Sequence, residues 1–259
     1  MVYSTTGKNI TLICNEPQAF AGNSYSGSIM TWENFDKTYC VSLKNRKDRQ
    51  EEAISEFLKV GLSSRVEFLL VEKHPTNCEQ GIYESHMSCI RKGLDAGAGT
   101  ILIFEDDILF DRFSPDTLKN CVDFLSNCPG WNMLSLGCMV KSSRRTSNKS
   151  ILKIRFRSLC HAYALNRPFA EAIVRIPWNN VPLDDMFRDL RDKDSYAVYP
   201  AFAFQSSSRS DNLRYLKLDR FRRLCGGLRC VQKLNELYNR KKSLIIGIHI
   251  VFILLLIWI

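Results

Sequence analysis

The run TILIFEDDILF at residues 100–110 constrains the fold more than any other part of the chain. Residues 101–105 are Ile, Leu and Phe up to Glu105, the pattern of a strand buried on both faces within a parallel sheet. Acids directly after such a strand sit at its carboxyl end, where open α/β sheets place their ligand crevice. Glu105, Asp106 and Asp107 repel one another unless a cation or a donor-rich partner neutralises them. Hard oxygen ligands of this kind favour Mg²⁺ or Mn²⁺, commonly shared with substrate phosphates. A strand followed by a solvated acidic turn is the plain alternative, so other stretches must decide between the two.

The preceding residues read as a βαβ unit. Residues 39–43 (YCVSL) form a compact β-type run. A helix follows with Ala53, Ile54, Phe57, Leu58 and Val60 on one stripe and stops at Gly61, and residues 66–71 make the next strand. Such a unit predicts a parallel sheet with a right-handed crossover. The loop after the first strand is cationic and suits a diphosphate, with Arg46 and Arg49 on one face of the helix's first turn. Solvated surface charge explains the same residues without chemistry. Residues 81–97 read as a helix that lines up Ile82, His86, Cys89, Ile90 and Leu94, so His86 is either a packed histidine or a site residue. Pro115 starts a helix over about 115–125. Strands are expected at 131–137, 151–156, 160–165, 196–199 and 202–205, and helices at 169–176 and from 183. Residues 141–149 (KSSRRTSNK) read as a cationic loop, a candidate lid over an anionic ligand. Asp184 and Asp185 sit in the first turn of their helix, where the helix dipole alone accounts for acids. A further candidate strand lies at 10–14, and 206–212 reads as a loop.

With 259 residues, the chain has room for one large α/β domain or two small ones, and 45% hydrophobic residues supply a core. The net charge of +9 is uneven. Residues 209–242 hold 11 Lys/Arg against 3 Asp/Glu, and the rest 25 against 24. Within that segment Leu216, Leu224, Leu228, Val231, Leu234 and Leu237 keep helical spacing, interrupted by Gly226 and Gly227. This fits a basic helix lying on an anionic membrane surface. Residues 244–259 (LIIGIHIVFILLLIWI) are apolar apart from His249 and span roughly 24 Å as a helix, short of the usual ~30 Å but workable with flanking lysines. Arg240, Lys241 and Lys242 abut that run and place the preceding chain in the cytoplasm. The expectation is therefore a single-pass tail anchor. Nucleic-acid binding competes for the same charge, and the adjoining apolar run argues against it. Residues 1–20 show no signal-peptide pattern. The ten cysteines lack C-x2-C spacing and read as small buried hydrophobes rather than zinc ligands or disulfides.

Four stretches together resemble glycosyltransferase family 25, which includes the lipooligosaccharide and procollagen galactosyltransferases. They are YCVSLKNRKDR (39–49), GIYESHMSCIRKGL (81–94), ILIFEDDILF (101–110) and LDDMFRDLRDKDSYAVYPAFAFQSSSRSD (183–211), with HAYALNRPFAEAIV (161–174) resembling the passage before the last. Tyr83 and Glu84 stand where that family usually has glycine and another small residue. The resemblance implies an α/β fold of the GT-A type, an open nucleotide-sugar-binding sheet, over residues 37–211. Residues 1–36 would be an extension, 212–243 the basic juxtamembrane helix and 244–259 the transmembrane helix. It implies a UDP-sugar donor, Mn²⁺ or Mg²⁺ as cofactor, and a glycan, lipid-linked or protein acceptor. Glu105 and Asp107 would hold the metal. Ser42, Leu43, Arg46, Arg49, His86 and Asp106 would contact the nucleotide, with Asp106 or Glu105 on the ribose. Asp184 or Asp185, the second preferred, would take the acceptor's proton. The alternative is an anchored, non-catalytic nucleotide-sugar- or glycan-binding scaffold that keeps this core.

Overall fold

The computed structural model describes residues 32–206 and 226–258. The candidate strand at 10–14, the loop residues from 207 and the basic residues before 226 lie outside that range. The first half follows the expected order. Strand β1 (Lys37–Leu43) leads through α1 (Lys47–Lys59) to β2 (Val66–Val71), then α2 (Cys78–Asp95) and β3 (Thr100–Glu105). β4 (Ile108–Phe110) follows the acidic turn, and α3 (Pro115–Ser126) begins with Pro115 at its first turn and the Ser114 hydroxyl capping the Thr117 N–H. The second half contributes β5 (Met133–Ser135), β6 (Met139–Arg145), β7 (Ile151–Ser158) and β8 (Ala162–Asn166). After these come α4 (Arg167–Ile173), α5 (Leu183–Leu190), β9 (Ser195–Val198), β10 (Ala203–Gln205) and α6 (Gly227–Trp258).

Eight strands form one sheet in the order β2-β1-β3-β8-β5-β9-β7-β6, and β4 pairs with β10 in a separate two-stranded sheet. β1 runs parallel to β2 and β3, as the βαβ reading predicts. The sheet as a whole is mixed, because β8 runs antiparallel to both β3 and β5, and β7 antiparallel to β9 and β6. β3 sits inside the sheet and alternates between two apolar layers. Leu102 and Phe104 enter the layer with Trp32, Phe57 and Leu118, while Ile101 and Ile103 enter the layer with Met87, Ile90 and Tyr163. That two-sided burial is why the strand reads as an unbroken apolar run. Each such side chain contributes about 1.5–3 kcal/mol relative to exposure.

Residues just ahead of the expected boundary at 37 pack on the same domain. Trp32 is fully buried and its indole N–H donates to the Val60 carbonyl at 2.9 Å, while the Asp36 carboxylate accepts the Gly99 and Thr100 N–H groups at 2.8 and 2.9 Å. The expected cationic loop at 141–149 is largely strand β6 and its turn into β7. Ile151, Ile154 and Phe156 face inward while Arg155 and Arg157 are exposed. Lys and Arg on the outer face of an edge hairpin disguise the alternation and protect the edge from further pairing.

From Gly227 onward, the basic segment and the apolar run belong to one element, α6. Its first turns dock on the domain rather than standing clear of it. Asn235 accepts the Val140 N–H at 2.8 Å and donates to the Val140 carbonyl at 3.1 Å, and Gln232 donates to the Ala203 carbonyl at 3.0 Å. Arg229 and Lys233 both pair with Asp111 at 2.7 Å, and Glu236 pairs with Arg112 at 3.1 Å. Further along, Leu244, Ile246, Ile248, Ile250 and Ile253 are exposed. Among the described residues no helix is long and apolar enough to cross a membrane.

Candidate active site

The acidic turn lies where the two sheets meet, between β3 and β4. Strand alternation sends its three side chains to two destinations. Asp106 points toward β1 and α1: Ser42 Oγ donates to one of its oxygens at 2.7 Å and Arg49 to the other at 2.9 Å. Burial pushes the Asp106 carboxyl up, opposed by Arg49 and Ser42. Glu105 and Asp107 face the opposite way and share one neutral donor, the amide nitrogen of Gln205. It lies 3.2 Å from Glu105 Oε2 and 3.4 Å from Asp107 Oδ2. Arg49 also reaches Asp107, at 3.8 Å.

Electrostatics separate these two carboxyls. Burial raises Glu105, but His86, His161 and Arg49 more than offset it and hold the group below its usual value. Asp107 is pushed up to about 7, first by burial and then by the Glu105 charge. Two neighbouring carboxylates with a single amide between them are short of positive charge.

Two histidines complete the floor. His86 is 1% exposed, its Nδ1 lies 2.8 Å from the Tyr163 hydroxyl, and the rings stack at 5.8 Å. Its Nε2 has no hydrogen-bond partner and faces Glu105 Oε1 at 3.5 Å. That helix starts at Cys78 under an Asn77 cap, three residues before the expected 81, and Gly81 in its first turn leaves room for His74, whose Cβ a Gly81 Cβ would approach to 2.8 Å. Tyr83, in the place where a small residue was expected, donates to the Ile176 carbonyl and packs on Trp178. His161 is fully buried, and its carbonyl accepts the Glu105 N–H at 2.9 Å. Burial lowers its basicity, against the pull of Glu105.

The structure thus brings together Ser42, Arg49, His86, Glu105, Asp106 and Asp107 from the expected set. Leu43 contributes through its backbone, where its carbonyl accepts the Gln50 amide at 2.8 Å and ties β1 to α1. Arg46 is engaged by Asp48 at 2.8 Å, whereas Arg49 turns inward to Asp106 at 2.9 Å. Asp185 pairs with Arg188 on the partly exposed side of α5. Asp184 is held by the Leu159 and Cys160 N–H groups, each at 2.9 Å. Burial pushes its carboxyl up, and the Glu105 charge adds to that. His161 and Gln205 lie in two of the stretches on which the resemblance rests, but neither was among the expected site residues.

No family model matches the chain, and no curated protein does. Among solved structures it is similar to A197 from STIV, at 13% identity over 65% of this chain and 85% of that one, with a TM-score of 0.45. It is also similar to a glycosyltransferase involved in glycosylation of the major capsid of PBCV-1, at 11% identity over 62% and 80%, with a TM-score of 0.39. A UDP-glucose pyrophosphorylase complexed with UDP-glucose matches at 11% identity over 83% and 86%, with a TM-score of 0.40. At this level of similarity the functional reading rests on the geometry of the carboxylate site itself.

Proposed function

We propose that the chain is a metal-dependent inverting glycosyltransferase, moving galactose or glucose from a UDP-sugar to a hydroxyl of a saccharide, lipid-linked saccharide or protein. The supporting observation is the Glu105–Asp107 pair at the carboxyl end of β3, with a deeply buried, unpartnered His86 nitrogen directed at it. Among the described residues no group of three or more His, Cys, Asp or Glu side chains is arranged to hold a metal ion. In this reading Mn²⁺ or Mg²⁺ would be held by two carboxylates, with water and diphosphate oxygens supplying the other positions. The bound cation would neutralise the charge that gathers on the leaving diphosphate.

The remaining roles follow from the chain's own groups. Arg49, fixed by Asp106, places a guanidinium beside the carboxylate pair, where it would attract phosphate oxygens. Asp106, hydrogen-bonded to Ser42, is the proposed ribose contact. For the acceptor, Asp184 is the better base: it is half-buried, partial burial pushes its carboxyl up, and it senses the Glu105 charge. Its oxygens keep spare lone pairs beyond the two backbone bonds. The acceptor hydroxyl gives its proton to that carboxylate as its oxygen bonds to C1, and the C1–O bond to UDP breaks with its electron pair leaving on the diphosphate. We also propose that the apolar end of α6 enters a lipid bilayer, with Arg240, Lys241 and Lys242 at the interface.

A non-catalytic nucleotide-sugar-binding protein is the second reading, favoured by the partners that Asp184 and Asp185 already have. Full-length chain in mild detergent, incubated with Mn²⁺ and a panel of UDP-sugars, should release UDP, faster when an acceptor is added. Asp107→Asn should remove this turnover. Saturable UDP binding with no release from any donor would favour the binding protein, and full activity in Asp107→Asn would sink the metal assignment.

A further inference from the structure

Gln205 lies 100 positions after Glu105 in the chain, yet its side chain is the only group that touches both carboxylates of the pair among the described residues. Three contacts fix it there. β10 pairs antiparallel with β4, which sets Gln205 opposite Ile108 just beyond the acidic turn. The Ser206 N–H donates to the Asp107 carbonyl at 2.7 Å, and Gln232 of α6 holds the Ala203 carbonyl at 3.0 Å. Such a residue is positioned from two sides and has little freedom to swing away.

Resting on the cation reading above, we propose that Gln205 is the third protein ligand of the divalent cation, binding through its amide oxygen. An amide presents a donor at one end and an acceptor at the other, and the two ends are nearly the same size. Facing two like charges, the NH₂ end is the stable one. Facing a cation held by those charges, the oxygen end is. A half-turn of the terminal amide therefore exchanges one state for the other without moving β10. Amide oxygens are normal ligands for hard divalent cations. From the helix side, the buried Nε2 of His86 makes no hydrogen bond and faces the other Glu105 oxygen at 3.5 Å, so a second polar group is aimed at the same carboxylate pair.

The competing role is that Gln205 is a neutralising donor which a cation must displace. The two roles predict opposite signs when the amide is removed. Titration of the full-length chain in mild detergent with MnCl₂ alone, followed by calorimetry and by the electron paramagnetic resonance signal of free Mn²⁺, separates them. Gln205→Leu should bind Mn²⁺ about tenfold more weakly, and Gln205→Glu should recover or exceed the original affinity. Equal or tighter binding in Gln205→Leu would overturn the proposal while leaving the carboxylate site intact. Absence of Mn²⁺ binding in the unaltered chain would overturn the cation reading and this proposal with it. If circular dichroism shows that Gln205→Leu is unfolded, Gln205→Asn is read in its place: it keeps an amide, set back by one methylene, and the same weakening is expected.

Discussion

Asp107 is caught between its surroundings and its neighbour. Burial and the Glu105 charge push its carboxyl up to about 7, while Arg49 and the Gln205 amide pull the other way. A raised carboxyl value means that the folded chain holds this proton more tightly than the unfolded one. The stability it contributes is therefore complete below the ordinary carboxylate range and is lost as pH climbs through about 7. A divalent cation competes for the same oxygens, so its effect has the opposite dependence. Stabilisation by Mn²⁺ should be slight near about pH 5 and grow to a plateau above about pH 8, with affinity changing by roughly tenfold per unit below the midpoint. Thermal melts with and without MnCl₂ across that range check this. An increment that does not vary with pH would mean that Asp107 is not a ligand.

At the level of elements, α6 and the strands beneath it form one polar seam. Asn235 satisfies both backbone groups of Val140 where β6 departs from regular pairing, since the register shifts on either side of that residue. Gly137 lets the chains close up nearby: a Cβ there would come within 1.8 Å of the Ala203 carbonyl oxygen, the atom that Gln232 also contacts. Removing the Asn235 amide leaves two backbone groups without their partner, at a cost of about 1–3 kcal/mol. Leu237 on the same helix is exposed and makes a suitable control. Urea unfolding of Asn235→Ala should show that loss, and Leu237→Ala should stay within about 0.5 kcal/mol of the original chain. Equal effects from both would mean that α6 is not docked in solution.

For the whole molecule, the direction of α6 links the apolar run to the site. Gln232 meets Ala203, Glu236 meets the Ala201 N–H, and Arg240 lies over Tyr199. The helix thus runs back along the strand that ends at Gln205, and its apolar end leaves on the side away from the carboxylates. From Gln232 to Leu244 the helix rises about 18 Å. A bilayer gripping residues from 244 onward would therefore sit well behind the site, so the site would meet acceptors that extend from the surface or lie free in solution. Full-length chain should float with neutral phosphatidylcholine vesicles, and chain ended after Lys242 should remain in the dense fractions. Full-length chain that stays dense but elutes as a dimer would mean that the exposed isoleucines are covered by a second copy instead.

The apolar alternation through Phe104 and the charge that follows it are local properties, and they placed the acidic turn at a strand end before any tertiary contact was known. The helix over Cys78–Asp95 and the inward face that carries His86 were equally legible, because helical periodicity depends only on near neighbours in the chain. What could not be read was the allocation of partners. Arg49 reaches Asp106, Asp184 is held by backbone N–H groups while Asp185 pairs with Arg188, and the basic turns of α6 spend much of their charge on Asp111. Gln205 enters the site only because β10 folds back against β4, bringing together groups far apart in sequence. Such pairings depend on where strands meet and on how much water each charge loses there, and a linear pattern carries neither quantity.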